Sequence, residues 1–369
     1  MYTKIKEVPR FLYNALVGRT YPVSLVHFVT NRCNARCSFC FIDFDDPKTF
    51  HNELTLNEIE KITKSLGPII KNINLTGGEP FVRKDLIDIA RLYFKNSLIE
   101  SIYITSNGSL PERVENFLNV ISKEFPNRKV IFSLSIDDLS DNHNRIRKIN
   151  NLFSSVMETY KIIKGFNNEN IDAKIGITVS PENYNNVLKI YDLLRKIYNV
   201  DAITSTLVRD EGIYKTPIDT KKKIQQAYQT LINRIKVDLI SGNLTGYKRS
   251  NIQGRLLNQK NIIANNNINK TYIDDKYISP CHASSLFGII DAKGKVYPCE
   301  ILTEKCVGNL SNYDFNFIKL WKDDQNKSVS KWIKKTKCHC TYECAWSANI
   351  LGNIRYHPKL LMAALGNIY

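Results

Sequence analysis

The chain has no run of eighteen consecutive apolar residues, so its sequence predicts no membrane-spanning helix. Met1 to Arg10 hold no apolar signal-peptide core. Acidic side chains are scarce beside basic ones: 36 Asp and Glu stand against 52 Lys and Arg, a net charge of +16. That excess permits a nucleic-acid or acidic-lipid partner. The lysines are spread along the whole chain, however, and asparagine and isoleucine are abundant, a pattern that compositional bias of the source explains more simply. Two segments keep a membrane surface in view. Residues 4–19 mix Lys and Arg with Phe11, Leu12 and Leu16, and residues 357–369 contain Leu360, Leu361, Met362 and Leu365. Both read as interfacial helices or as flaps packed on the body of the protein.

What is present points elsewhere. Nine cysteines without a secretion signal fit a reducing, cytoplasmic compartment and metal binding rather than disulfides. The 369 residues leave room for two or three domains, and 43% hydrophobic residues are ample for a packed core.

Cys33, Cys37 and Cys40 follow a short apolar strand at 25–30, with the spacing Cys-x3-Cys-x2-Cys. Buried structural thiols are one reading, since free Cys is often buried. Zinc is another, though zinc usually takes four ligands. The third is a [4Fe–4S] cube, in which three thiolates hold three irons and leave the fourth open to activate a ligand. A second strand at 72–76 runs into Gly77-Gly78-Glu79-Pro80. Alone, that turn is a weak signal. Glycines there allow close approach of backbone to a ligand, and Glu79 is able to pair an ammonium.

Together these residues resemble the radical S-adenosylmethionine (SAM) enzymes. The three cysteines, with the aromatic Phe39 before the third, look like that family's cluster motif, and Gly77, Gly78 and Glu79 look like its turn for the SAM amino group. Strand and helix patterns alternate from residue 25 to about 208, with further strands at 101–105, 130–136, 174–179 and 202–207. A capping box at Thr55–Glu58 and Pro111 in a first turn mark helix starts. The alternation implies an α/β fold with a parallel sheet. The resemblance implies a six-stranded partial (β/α)6 barrel, whose site gathers at the strand carboxyl ends. Ser106 and Asn107, Ser135 and Asp137, Arg147, and Val179 lie at or just past such ends. By resemblance they contact SAM or substrate, with Arg145 or Arg147 able to pair a carboxylate.

A second cysteine group lies near the other end. Cys281 and Cys299 bracket a hairpin signal at Gly294; Gly308-Asn309 and Trp321 follow, then Cys338-x-Cys340-x3-Cys344. Residues 279–347 resemble the SPASM domain, or its shortened twitch form, which extends radical SAM proteins with auxiliary clusters. Six cysteines, counting Cys306, are too few to ligate two further cubes fully. The resemblance therefore implies one auxiliary [4Fe–4S] cluster on Cys281, Cys299 and two of Cys338, Cys340 and Cys344, with Cys340 and Cys344 slightly favoured and Cys306 a structural thiol. A zinc knuckle is the alternative.

The expected organisation is a basic and apolar segment (1–20), the barrel (21–215), a helical linker with a loop at 265–270 (216–278), and a cysteine-rich auxiliary-cluster domain with tail (279–369). The implied cofactors are two [4Fe–4S] clusters and SAM, with flavodoxin or ferredoxin as electron donor. The implied chemistry is reductive cleavage of SAM to a 5′-deoxyadenosyl radical, which abstracts hydrogen from substrate. Because about 24 residues precede the first strand, a small polar substrate, such as a sugar or nucleotide-linked sugar, is preferred for oxidation or epimerisation. A peptide maturase is the rival, followed by an RNA-modifying enzyme or a non-catalytic electron carrier. No residue is identified as acid or base.

Overall fold

The computed structural model describes residues 9–166, 168–209, 215–247 and 250–367. Six parallel strands follow the expected positions: β1 (Ser24–Thr30), β2 (Asn72–Gly77), β3 (Ser101–Ser106), β4 (Lys129–Ser135), β5 (Ile171–Val179) and β6 (Ile203–Leu207). They pair in chain order, each in parallel with the next. Helices Leu56–Lys64, Leu86–Asn96, Pro111–Glu124, Leu152–Gly165 and Val187–Lys196 fall between them.

The local signals form as the sequence predicts. Thr55 and Glu58 make the reciprocal capping box, and Pro111 opens its helix in the first turn. Burial along β5 alternates at every residue: Ile171, Ala173, Ile175, Ile177 and Val179 join the main apolar cluster, while Asp172, Lys174, Gly176 and Thr178 line the opposite face.

The second cysteine region is not a separate sheet. Three short strands, β7 (Phe287–Ile290), β8 (Lys295–Tyr297) and β9 (Gly308–Asn309), extend the same sheet to nine strands in the order β6-β5-β4-β3-β2-β1-β7-β8-β9. β7 pairs in parallel with β1, and β7–β8 is the antiparallel hairpin expected at Gly294, which takes φ +82°. β1 is therefore an interior strand. Its Leu25 and Val29 pack in the main cluster, while Val26 and Phe28 pack in a second one with Cys281, Phe287, Ile289, Tyr342 and Ala345. Burial on both faces is why this stretch reads as nearly continuous apolar sequence.

One expectation is overturned. The asparagine-rich stretch 265–270 is not a loop but the interior of a 23-residue helix, Ile252–Asp274. It packs against the long helix Ile218–Ser241 and the tail helix His357–Ala364. Its asparagines satisfy one another's neighbours: Asn269 accepts from Gln225 at 3.1 Å and donates to Gln229, and Asn267 donates to the Tyr356 hydroxyl at 3.1 Å. These contacts override the poor intrinsic helix propensity of asparagine.

Of the two terminal segments, residues 1–8 and 368–369 lie outside the described residues. The tail helix buries Ala363, holds the Ala364 carbonyl against Arg255 at 2.7 Å, and leaves Leu361, Met362 and Leu365 exposed. Among the described residues no helix is long and apolar enough to cross a membrane.

Candidate active site and second cysteine group

The loop after β1 carries Cys33, Cys37 and Cys40, all half-buried. Its start is held by Glu53, which accepts from the Thr30 hydroxyl at 2.7 Å and the Asn31 N–H at 2.8 Å and pairs with Arg32. Burial pushes the Cys33 thiol up to about 12 and also raises Cys37 and Cys40. Thiols so placed keep their protons unless a metal replaces them.

The Gly-Gly-Glu turn is built against that loop. The Gly78 N–H donates to the Thr30 carbonyl at 2.8 Å, and the Glu79 N–H to the Arg32 carbonyl at 2.9 Å. Gly77 has φ +136°, and a Cβ there would lie 2.0 Å from the Thr30 oxygen; one on Gly78 would lie 2.2 Å from the Arg32 oxygen. The glycines are therefore required first by the close approach of two protein loops.

Glu79 is buried and pointed inward. It accepts from the Phe81 N–H at 3.0 Å, the Ser106 hydroxyl at 2.9 Å and the Asn107 N–H at 2.6 Å. Burial raises its carboxyl above the ordinary range, against the pull of those donors. Asn107 in turn donates to Asn34 at 2.9 Å, beside Cys33. One carboxylate thus ties together the loops after β2 and β3, and through Asn107 the cysteine loop.

Asp137, just past β4, forms a buried ion pair with Arg147 at 2.7 Å and accepts from the Thr178 N–H at 3.3 Å. The Arg147 carbonyl accepts from the Arg36 N–H at 3.0 Å, which brings the pair to the cysteine loop. Arg147 is committed to Asp137, while exposed Arg145 pairs loosely with Glu182, at 3.8 Å. Ser135 ends β4 half-buried, Val179 ends β5 with its carbonyl on Val208, and Phe39 packs at the edge of the main core. Asn183, missed in the sequence because an Asn in a turn is commonplace, donates to the Asp137 and Thr178 carbonyls at 2.7 and 2.8 Å.

In the second group, Cys281, Cys299, Cys338, Cys340 and Cys344 share one apolar cluster. The Cys281 and Cys338 thiols interact directly; that contact raises Cys281 and lowers Cys338. Burial pushes Cys299 up to about 11 and raises Cys344. Cys338 thus contacts Cys281, and Cys340 also acts on it through its charge. Cys306 stands apart, its thiol 3.6 Å from the Val296 and Gly308 carbonyls. Among the described residues, no three His, Cys, Asp or Glu side chains converge on a point that a single ion would fill. The irons of a cube are separate atoms, so its thiolates stand apart from one another. The donor chemistry of both groups, all-thiol and largely desolvated, fits such a cube.

A parallel sheet whose first loop carries three thiols, locked to a Gly-Gly-Glu turn, defines the class of radical SAM domains. Residues 28–194, a little under half of the chain, match the model described as the Radical SAM superfamily. The chain is 33% identical over 178 residues to a GTP 3′,8-cyclase of Clostridium perfringens, covering 46% of this chain and 50% of that protein. It is 32% identical over 138 residues to a GTP 3′,8-cyclase of Desulforamulus reducens, covering 36% and 41%. The chain thus spans half or less of the length of these relatives. Among solved structures, it is similar to anSMEcpe with bound AdoMet and Cp18Cys peptide, with TM-score 0.58 and 18% identity over 93% of this chain and 99% of that one. It is also similar to Streptococcus suis SuiB bound to S-adenosylmethionine, with TM-score 0.57 and 15% identity over 89% and 72%. These likenesses are of fold, and they extend through the cysteine-rich C-terminal region.

Proposed function

We propose that the chain is an enzyme of SAM radical chemistry acting on a small polar substrate with an anionic group, such as a nucleotide or nucleotide-linked sugar. The observation that carries this reading is a pair of half-buried, desolvated lysines. Lys174 lies on the non-core face of β5, and Lys260 comes from the helix Ile252–Asp274. Burial lowers both below the ordinary lysine range, Lys260 to about 8, and the Lys174 charge adds to the lowering of Lys260. Lys260 donates to Ser347 at 3.0 Å, and among the described residues no side chain forms a hydrogen bond or ion pair with Lys174. Two desolvated ammonium groups close enough to interact are costly without an anion. The Asp172 carboxylate offsets part of that cost at Lys174, and a substrate phosphate or carboxylate would offset more. The relatives named above, which act on GTP by name, agree with this substrate class.

A [4Fe–4S] cluster on Cys33, Cys37 and Cys40, when bound, supplies the electron that cleaves SAM to a 5′-deoxyadenosyl radical. The protein's part is to hold the geometry. Glu79 fixes two loops at the mouth, and Asp137 and Arg147 brace a third.

Peptide modification is the second reading, supported by the likeness in fold to a peptide-bound structure over nearly the whole of both chains. Reduced, reconstituted protein with SAM is to be offered nucleotides, nucleotide sugars and short peptides in turn. Stimulation of 5′-deoxyadenosine formation by a phosphorylated compound, lost in Lys174→Met, supports the first reading. Stimulation by peptides alone supports the second, and no 5′-deoxyadenosine at all overturns both.

A further inference from the structure

One cation of the barrel reaches the second cysteine group. Arg209 lies two residues past the end of β6 and is partly exposed. Its guanidinium sits 5.4 Å from the Phe41 ring and 4.8 Å from the Tyr342 ring. It forms an ion pair with Glu300, and the Tyr342 hydroxyl donates to the same carboxylate at 2.6 Å. Each of these partners adjoins a cysteine. Phe41 follows Cys40, Glu300 follows Cys299, and Tyr342 stands between Cys340 and Cys344. Tyr342 is buried, edge-on to Phe287 of β7 at 5.8 Å. A single guanidinium therefore joins the first cysteine loop, the hairpin cysteine and the last cysteine run.

We infer that Arg209 is a positioning residue for the second cysteine group: it holds that group against the barrel mouth and raises the reduction potential of the cluster bound there. The inference rests on the reading of residues 281–344 as a cluster site. A reduced cube carries one more negative charge than its oxidised form, so a fixed nearby cation favours reduction. The neighbouring Glu300 carboxylate opposes this effect once Arg209 is gone. A guanidinium close to two rings, with an ion pair at its edge, is suited to Arg and only partly to Lys.

The test is a mediated redox titration of the reconstituted full chain, followed by electron paramagnetic resonance. The auxiliary signal is identified as the one that Cys299→Ala removes. The same titration is run in a Cys33→Ala/Cys37→Ala/Cys40→Ala chain, which retains only the second group. Arg209→Gln should reduce the equilibrium constant for reduction about tenfold, equal to about 59 mV for a one-electron couple. Arg209→Lys should recover part of the shift, and Arg209→Gln/Glu300→Gln should recover most of it. Unfolding monitored by circular dichroism checks that each variant is folded; should Arg209→Gln fail to fold, Arg209→Lys and the double variant carry the comparison. An equilibrium constant for reduction that changes less than twofold, with the cluster present, overturns the inference alone. Absence of iron from the second group in both backgrounds overturns the cluster reading as well.

Discussion

Replacing Glu79 measures how far the SAM turn depends on one buried carboxylate. Glu79→Ala removes the acceptor for the Phe81 N–H, the Ser106 hydroxyl and the Asn107 N–H. The serine is free to rotate to another partner, but the two N–H groups are fixed by the backbone. Each buried donor left unpaired costs about 1–3 kcal/mol. Against that stands the cost of burying the carboxylate itself, visible in its raised pKa. The balance is a loss of about 2–4 kcal/mol, a large part of the 5–15 kcal/mol typical of a domain. Glu79→Gln should lose nearly as much, because its amide nitrogen would face a donor where the carboxylate faced it with an acceptor. The assays are urea denaturation and calorimetric SAM binding to reconstituted protein. Stability and SAM affinity should both fall, while the iron count stays at its wild-type value. Wild-type stability together with wild-type SAM affinity in both variants would refute the role of the carboxylate as a tie between loops.

The strands were legible because β1 to β6 obey simple rules: apolar runs, period-two alternation in β5, and clear helix signals at Thr55 and Pro111. The cysteine loop and Gly-Gly-Glu turn were legible as a spacing. Their mutual contact was not, since it depends on the register of β1 against β2. The partnership of Arg147 with Asp137 was hidden for a similar reason: nothing in ten residues of sequence separates an arginine that binds substrate from one that braces a neighbour. Two features were lost entirely. Asparagines at 265–270 signal a loop unless the partners that satisfy them are known, and those lie about forty residues back in Gln225 and Gln229 and far ahead in Tyr356. Arg209 carries no motif, and its partners Phe41, Glu300 and Tyr342 come from distant parts of the chain.

Three further outcomes follow from the same geometry. Reconstituted protein should hold about eight irons as two cubes, and Cys33→Ala/Cys37→Ala/Cys40→Ala should remove about half of them, read by iron assay; an unchanged count would sink the assignment. Asp137→Asn strips the buried Arg147 of its charged partner, which should lower stability by about 3–5 kcal/mol in urea unfolding; a loss under 1 kcal/mol would mean that the pair is solvated in solution. Cys281→Ala or Cys299→Ala should leave SAM cleavage largely intact but suppress product formation, because a cluster on the second group would act on the substrate radical, after hydrogen abstraction. Electron acceptance from a substrate-derived radical needs a redox-active cluster at that position, which zinc, with no accessible second oxidation state, does not provide. Metal analysis that found zinc on Cys281 and Cys299 would therefore leave those thiols a structural role and make a redox-neutral reaction, such as an epimerisation, the outcome to seek.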